Sequence, residues 1–190
     1  MTVAFDRVGS AKGVGTETRT PDAEVCRQAP ADRAIGVRSL WAFFVAAAVQ
    51  RLPFVLLAPD SLVGLKKALL VASYLLLVWA LVRNLHFRSV RVVLFGVLLN
   101  LTAIVANGGL MPVSPEARAL AGMTDLGGAW LGKVTPQGTG ILLTLDQTRL
   151  PVFTDIIPWD LVGGVFSVGD VVLGAGVLAF FVELVRRKPR

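Results

Sequence analysis

Asp155 and Asp170, which lie near the last apolar stretch of the chain, are the residues whose types and spacing suggest chemistry. Asp155 precedes this stretch, and Asp170 falls within its first turns, at the end of Phe166-Ser167-Val168-Gly169-Asp170. Two carboxyl groups held close together can share a proton and activate water, provided that burial and proximity drive their pKa values apart. Asp155 and Asp170 are therefore the candidate catalytic residues.

Asp170 also has a structural interpretation. Acids near the start of a helix are stabilised by the helix dipole and by free N–H groups. In this interpretation Asp170 caps the last helix, or it hydrogen-bonds Asn107, Ser167 or Arg51. A third interpretation gives the motif that contains Ser167, Gly169 and Asp170 a binding role.

Three polar residues interrupt other apolar stretches: Gln50, Arg51 and Asn100. An arginine at the centre of a membrane helix costs about 2.5–3.5 kcal/mol on insertion scales, so Arg51 is expected to face protein, a watery cavity or the interface. Arg51 and Gln50 are candidates to pair with Asp170 or to line an anion path. The alternative is that Arg51 only snorkels beside a helix broken by Pro53. Asn100 is expected to join helices by hydrogen bonds.

Four apolar segments must position these residues. The chain has 190 residues, of which 54% are hydrophobic and 17% are charged, and so it has more apolar surface than a soluble domain of this size can bury. A helix that crosses the bilayer needs roughly 20 mainly apolar residues. The sequence predicts an all-α membrane domain over residues 39–184, with four transmembrane helices at about 40–58, 62–82, 92–106 and 161–182.

The basic residues predict the orientation of these helices. Arg83, Arg88 and Arg91 crowd the short link between the second and third segments, and the tail at 185–190 is basic. Because Lys and Arg are enriched in cytoplasmic loops, both chain ends are expected to be cytoplasmic. The polar residues 1–38 then form a disordered cytoplasmic tail. Lys66 and Lys67 are the dissenting charges, and they are expected to reach back to the interface.

The segment at 107–160 becomes a long outer loop. It opens with the turn residues Asn107, Gly108 and Gly109, which are followed by Met111 and Pro112. Two β-prone runs, 141–145 and 149–153, flank polar residues and predict a short β-hairpin with Pro151 on an edge strand. Because isolated hairpins are marginal in water, this hairpin is expected to pack on the helix ends or the lipid headgroups.

Some classes of site are not expected. The net charge is +6, but the basic residues do not gather into one patch with interleaved aromatics, so no nucleic acid is expected as a partner. Cys26 is the one cysteine and His86 the one histidine, and they predict neither a disulfide nor a metal site. No cofactor is predicted. The expected partners are the lipid bilayer and a membrane or extracytoplasmic protein.

Several ordered motifs carry a resemblance to a known family. They are KALLVASYLLLVWALVRN, LFGVLLNLTAIVANGGLMPVS, LDQTRLPVFTDIIP and VFSVGDVVLGAGV. Over roughly residues 40–182 the chain resembles an uncharacterised bacterial membrane-protein family, domain of unknown function fifty-three seventeen. The resemblance implies a small multi-pass protein of bacterial plasma membranes, with an Asn-Gly-Gly-x-Met-Pro turn and a Ser-x-Gly-Asp motif, and it implies no activity. The chain departs from that family in its polar N-terminal tail, and in Thr154-Asp155 where the family usually has Gly-Asp.

The layout is also similar to that of lipoprotein signal peptidase. That family has four spans, both ends inside, and a catalytic aspartate in an FN-x-A-D motif at its last helix, which the segment ending at Asp170 resembles. Its other aspartate lies in a Gly-Asn-x-x-Asp-Arg signature near the third helix. The matching region here contains Asn100 and Asn107 and no acid, so half of the catalytic machinery is missing.

Three hypotheses about function follow. The leading one is a non-enzymatic membrane protein whose outer loop binds a partner or a small ligand, because the loop is patterned but lacks a complete catalytic set. The second is a membrane hydrolase that uses Asp155 and Asp170. The third is a channel or carrier, which would have to be oligomeric because four helices leave little room for a pore.

Overall fold

Long apolar helices dominate the structure, a computed structural model that describes residues 37–56, 61–123, 128–135, 139–161 and 163–186. They are α1 (Leu40–Leu56), α2 (Val63–Val82), α3 (Arg88–Ala106) and α5 (Val168–Arg186), with the short α4 (Pro115–Leu120) between the last two. Among the described residues, α2, α3 and α5 are long and apolar enough to cross a membrane, and α1 is a shorter apolar helix. The predicted tail lies outside the described residues, apart from positions 37 and 38.

The last helix begins later than the sequence predicted. Its predicted span started near residue 161, but α5 starts at Val168. Before α5 the chain reverses direction, since Ile157–Trp159 pairs in antiparallel fashion with Gly164–Phe166. Gly163 has a positive φ of 62°, a conformation that glycine adopts without strain. Leu161, predicted to lie in the span, is 87% exposed in this turn.

Helices α3 and α5 form a close antiparallel pair. Their backbones approach at three glycines, where a side chain would not fit. A Cβ atom on Gly96 would lie 2.7 Å from the backbone oxygen of Gly169, and one on Gly176 would lie 2.7 Å from the backbone nitrogen of Val93. Small residues at such crossings let helices pack tightly in lipid, where little hydrophobic force drives them together.

Two apolar clusters fix the remaining helices. One lies under the loop that follows α3 and contains Leu70, Ile104, Leu110 and Val134 among its buried residues. The other lies near the link between α2 and α3, and its buried residues are Leu81, Phe87, Val90 and Val97. At this end of α1 and α2 the Trp41 and Trp79 rings are 6.1 Å apart.

The loop after α3 contains two small sheets. Strand β1 (Met111–Val113) pairs in parallel with β2 (Gly140–Leu142), and β3 (Ile157–Trp159) pairs in antiparallel fashion with β4 (Gly164–Phe166). On its other side β1 bridges Asp155, which is hydrogen-bonded to Pro112 and Ser114 through its backbone. The loop is therefore pinned around β1, all three residues of which are buried.

The predicted hairpin at 141–145 and 149–153 is wrong. Residues 141–142 belong to β2, whose partner is β1 at the start of the loop, whereas Pro151–Phe153 forms a 3₁₀ turn. Pro151 lacks a backbone N–H to donate to a strand and has a φ suited to the first residue of a helical turn. The hairpin of the described chain is β3–β4, immediately before α5.

Candidate functional site

Ser167 and Asp170 cap the N-terminus of α5 reciprocally. The Asp170 backbone N–H donates to Ser167 Oγ at 3.0 Å, and the Ser167 backbone N–H donates to Asp170 Oδ2 at 2.9 Å. This is the geometry of a capping box with aspartate in place of the usual glutamate. The structural interpretation of Asp170 is therefore realised with Ser167 as its partner.

Asn100 joins this cap to α3. Its Nδ2 donates to Asp170 Oδ1 at 2.7 Å, and its Oδ1 lies 2.9 Å from Ser167 Oγ. Asn100 and Ser167 are almost completely buried, and the side chain of Tyr74 on α2 lies close to Asn100. Gly169 makes the approach possible, since a Cβ atom there would collide with Asn100 Oδ1. Asn100 thus connects helices, as the sequence predicted.

Asp155 faces the same region from the loop. Its backbone N–H donates to the Pro112 carbonyl at 3.0 Å, and its carbonyl accepts from the Ser114 N–H at 3.0 Å. Asp155 Oδ1 is buried and has no hydrogen-bond partner among the described residues. Burial, together with the negative charge of Asp170, raises the pKa of Asp155 to about 8. Asp155 therefore carries its proton at neutral pH.

An apolar cavity of about 610 Å³ opens beside Asp170. It lies between the β3–β4 hairpin and α5, and the Trp159 and Phe166 rings stand 5.3 Å apart in its wall. The residues that line it are Trp159, Val165, Phe166, Asp170, Val171, Leu173, Gly174 and Ala175. A ligand here would meet one carboxylate in otherwise apolar surroundings. We call Tyr74, Asn100, Asp155, Ser167 and Asp170 the acid cluster.

The family model that matches this sequence covers residues 34–182 and describes a family of unknown function, DUF5317. The chain belongs to the DUF5317 family. This confirms the resemblance found from the sequence motifs. No curated protein and no solved structure shows significant similarity to the chain.

The Asn-Gly-Gly-x-Met-Pro turn of this DUF5317 chain joins the end of α3 to the loop that follows. Asn107 Nδ2 donates to the Ala103 and Arg149 carbonyls, both at 2.8 Å, and the Arg149 N–H donates to Asn107 Oδ1 at 2.8 Å. Gly108 and Gly109 have positive φ angles of 76° and 98°. Asn107 thus ends α3 and holds the far part of the loop, while Met111 and Pro112 continue into β1.

In this DUF5317 chain Arg51 makes no hydrogen bond to Asp170 and does not belong to the acid cluster. Both Asp170 oxygens accept hydrogen bonds from Asn100 and Ser167, and Arg51 is exposed on α1 with Gln50 partly buried beside it. Lys66, expected to reach the interface, is instead buried at 1% exposure. Among the described residues no group of three metal-ligating side chains is present.

The structural roles of two residues were not predicted from the sequence. Tyr74 is one, because a tyrosine within an apolar helix gives no pattern that links it to Asn100. Glu183 is the other: its carboxylate accepts from Ser89 N and Oγ at 3.0 and 2.7 Å and from the Arg88 N–H at 3.2 Å. It thereby caps α3, as Ser167 and Asp170 cap α5, and the α3–α5 pair is fastened at both ends.

Proposed function

We propose that this protein is an integral membrane protein whose outer loop and acid cluster together bind a small ligand. Four helices span the plasma membrane of a bacterium in this proposal, with both chain ends in the cytoplasm. The length and apolar character of α2, α3 and α5 support it. So do the large apolar side chains that α5 leaves exposed, which are Val171, Val177, Leu178, Phe181, Val182 and Val185.

Helix α1 supports the fourth span. At about 1.5 Å per residue its 17 residues reach about 25 Å, slightly less than the hydrocarbon core. It packs along α2, and the paired Trp41 and Trp79 rings occupy the end where α2 meets Arg83. The Arg83 guanidinium lies 5.0 Å from the Trp79 ring centroid. Tryptophan and arginine together are typical of a membrane interface.

The observation that carries the binding proposal is the buried, unpartnered Oδ1 of Asp155. A buried acceptor without a hydrogen bond costs about 1–3 kcal/mol, and such atoms in native proteins usually have a reason. A ligand N–H or O–H group would supply the missing hydrogen bond. Asp170, whose charge raises the pKa of Asp155, lines the apolar cavity, which is therefore the candidate space for the rest of such a molecule.

The experiment compares small molecules that copurify with the full chain in lipid nanodiscs, identified by mass spectrometry of solvent extracts. The variants are Asp155→Ala and a matched control, Asp146→Asn, which neutralises an exposed acid of the same loop. We expect a compound with an N–H or O–H donor that is enriched with the wild type and the control and depleted at least about tenfold with Asp155→Ala. Equal recovery from all three proteins, or no enriched compound, refutes ligand binding at Asp155.

A second candidate function, an aspartate-dependent membrane hydrolase, is favoured by a separate observation. Asp155 holds a proton beside Asp170, and an unequal pair of carboxyl groups is the arrangement that hydrolysis through aspartates requires. Against it, both Asp170 oxygens already accept hydrogen bonds. Cleavage of a membrane-peptide library by the purified protein should be lost in both Asp155→Asn and Asp170→Asn and kept in Asp146→Asn. Cleavage that survives Asp170→Asn excludes this function.

A further inference from the structure

A second groove lies between α3 and α5 at the end opposite the acid cluster. Its volume is about 860 Å³, within the range of small-molecule sites. Arg88 and Arg186, both exposed, stand at its mouth. The groove is lined by Arg88, Ser89, Val92, Ala175, Leu178, Ala179, Val182, Glu183 and Arg186.

The charges at the mouth favour an anion. Glu183 is the acid in the lining, and its carboxylate is turned toward the N-terminus of α3, where it accepts from the backbone N–H groups of Arg88 and Ser89. The positive end of the α3 dipole therefore offsets the charge of Glu183. Two guanidinium groups remain at the mouth, and guanidinium groups suit the fork of phosphate oxygens.

The body of the groove is apolar and faces outward. Val92, Leu178 and Val182 are each 40% exposed or more, and the small Ala175 and Ala179 leave room between them. Ala175 also lines the cavity beside Asp170, so the apolar surface continues along α5 toward the β3–β4 hairpin. A molecule with a phosphate head and long apolar tails matches two arginines followed by a continuous apolar surface.

We propose that this groove binds an anionic phospholipid, with its phosphate on Arg88 and Arg186 and an acyl chain along Val92, Leu178 and Val182. The inference rests on the membrane embedding in the proposed function and is independent of ligand binding at Asp155. Attraction of basic side chains to an anionic bilayer surface accounts for a general excess of anionic lipid. The groove adds a specific binding site, to which a basic residue elsewhere on α3 does not contribute.

The test is native mass spectrometry of the full chain released from nanodiscs that contain phosphatidylglycerol and phosphatidylcholine in equal amounts. We expect retained phosphatidylglycerol in the wild type. Its excess over phosphatidylcholine should fall about fivefold for each of Arg88→Gln and Arg186→Gln. The matched control is Arg91→Gln, which removes the same charge one turn along α3 from an exposed residue that does not line the groove.

Two further measurements separate the contribution of the apolar groove to lipid binding from that of the phosphate headgroup. Ala179→Phe fills the apolar body without changing charge, and we expect it to lower retained phosphatidylglycerol as well. Glycerol phosphate, which has the head without the tails, should not displace the lipid at millimolar concentration. Displacement by glycerol phosphate, or equal losses for Arg91→Gln and Arg88→Gln, overturns the proposal. Asp155→Ala should retain phosphatidylglycerol as the wild type does. The lipid measurement can therefore be interpreted even if no ligand binds at Asp155.

Discussion

Asp155 and Asp170 are the same residue type in opposite situations. Asp170 has a hydrogen bond to each carboxylate oxygen, supplied by Asn100 and Ser167. Asp155 has its backbone fixed to β1 and its Oδ1 buried without a partner among the described residues. The surroundings of the two acids therefore differ. Asp170 stabilises the start of a helix, and Asp155 is left with an unmet interaction.

The protonation of Asp155 predicts a pH dependence of stability. Its pKa is raised to about 8, from an ordinary value near 3.8. The folded state therefore holds a proton that the unfolded state releases, and the free energy of unfolding should fall as pH rises from about 4 to about 8. The slope from this group is at most about 1.4 kcal/mol per pH unit.

The measurement compares thermal unfolding of the wild type and Asp155→Asn in nanodiscs from pH 5 to pH 9. Asparagine resembles the protonated acid, so the wild type should lose stability relative to Asp155→Asn as pH rises. The exposed Asp146→Asn serves as the control and should give no such divergence. A constant difference between wild type and Asp155→Asn across the range would contradict the prediction.

At the scale of elements, side-chain amides hold segments that are distant in sequence. Asn107 follows α3 and pairs with the backbone of Arg149, and Asn84 follows α2 and pairs in the same way with the backbone of Arg38. Each amide also donates to the carbonyl four residues earlier, at 2.7–2.8 Å. One side chain therefore both ends a helix and anchors the chain that returns to it.

The contact between α3 and α5 gives the second prediction. Gly169→Ala would place a Cβ atom against Asn100 and the Gly96 carbonyl, whereas Gly174→Ala on the same helix meets nothing within 4 Å. Overpacking of this kind costs about 1–3 kcal/mol. Alanine at position 174 should be neutral or slightly stabilising, because alanine favours helices over glycine.

Thermal unfolding of the two variants in nanodiscs tests this difference. We expect the midpoint to fall for Gly169→Ala and to stay or rise for Gly174→Ala. If the clash with Asn100 dominates, adding Asn100→Ala to Gly169→Ala should raise the midpoint again. If the clash with the Gly96 carbonyl dominates, the double variant should stay as unstable as Gly169→Ala. Equal midpoints for the two single variants would show that α3 and α5 do not pack through Gly169.

At the scale of the molecule, local sequence patterns predicted the helices. They did not predict the contacts between residues that are far apart in the sequence. Apolar runs predicted four membrane-spanning helices, and the described residues form three helices of sufficient length and a shorter apolar one. The sequence also predicted that Asn100 joins helices by hydrogen bonds. It did not predict the β1–β2 sheet, because a parallel pair joins residues far apart in the chain and leaves no local signature. The role of Glu183 was invisible for the same reason, since Ser89, its partner, lies on another helix.

The whole-molecule prediction concerns orientation in the membrane. The hydrogen bonds of Glu183 to Ser89 bring the basic ends of α3 and α5 together, with Arg88 and Arg186 at one end of the pair. A single side of the membrane can then receive both basic groups, as the positive-inside rule requires. Lys66 does not oppose this orientation, because it is buried in the protein and has a partner there.

Cysteine labelling in intact cells tests this orientation, in a Cys26→Ser background that removes the native thiol. A membrane-impermeant maleimide should label Glu116→Cys, which lies in the loop after α3 that we propose faces outward, and should leave Arg83→Cys and a cysteine added after Arg190 unlabelled until the cells are opened. Both inner positions must respond alike, because Glu183 ties the α5 end to the start of α3. Labelling of Arg83→Cys without Glu116→Cys would invert the arrangement and place the acid cluster on the cytoplasmic side.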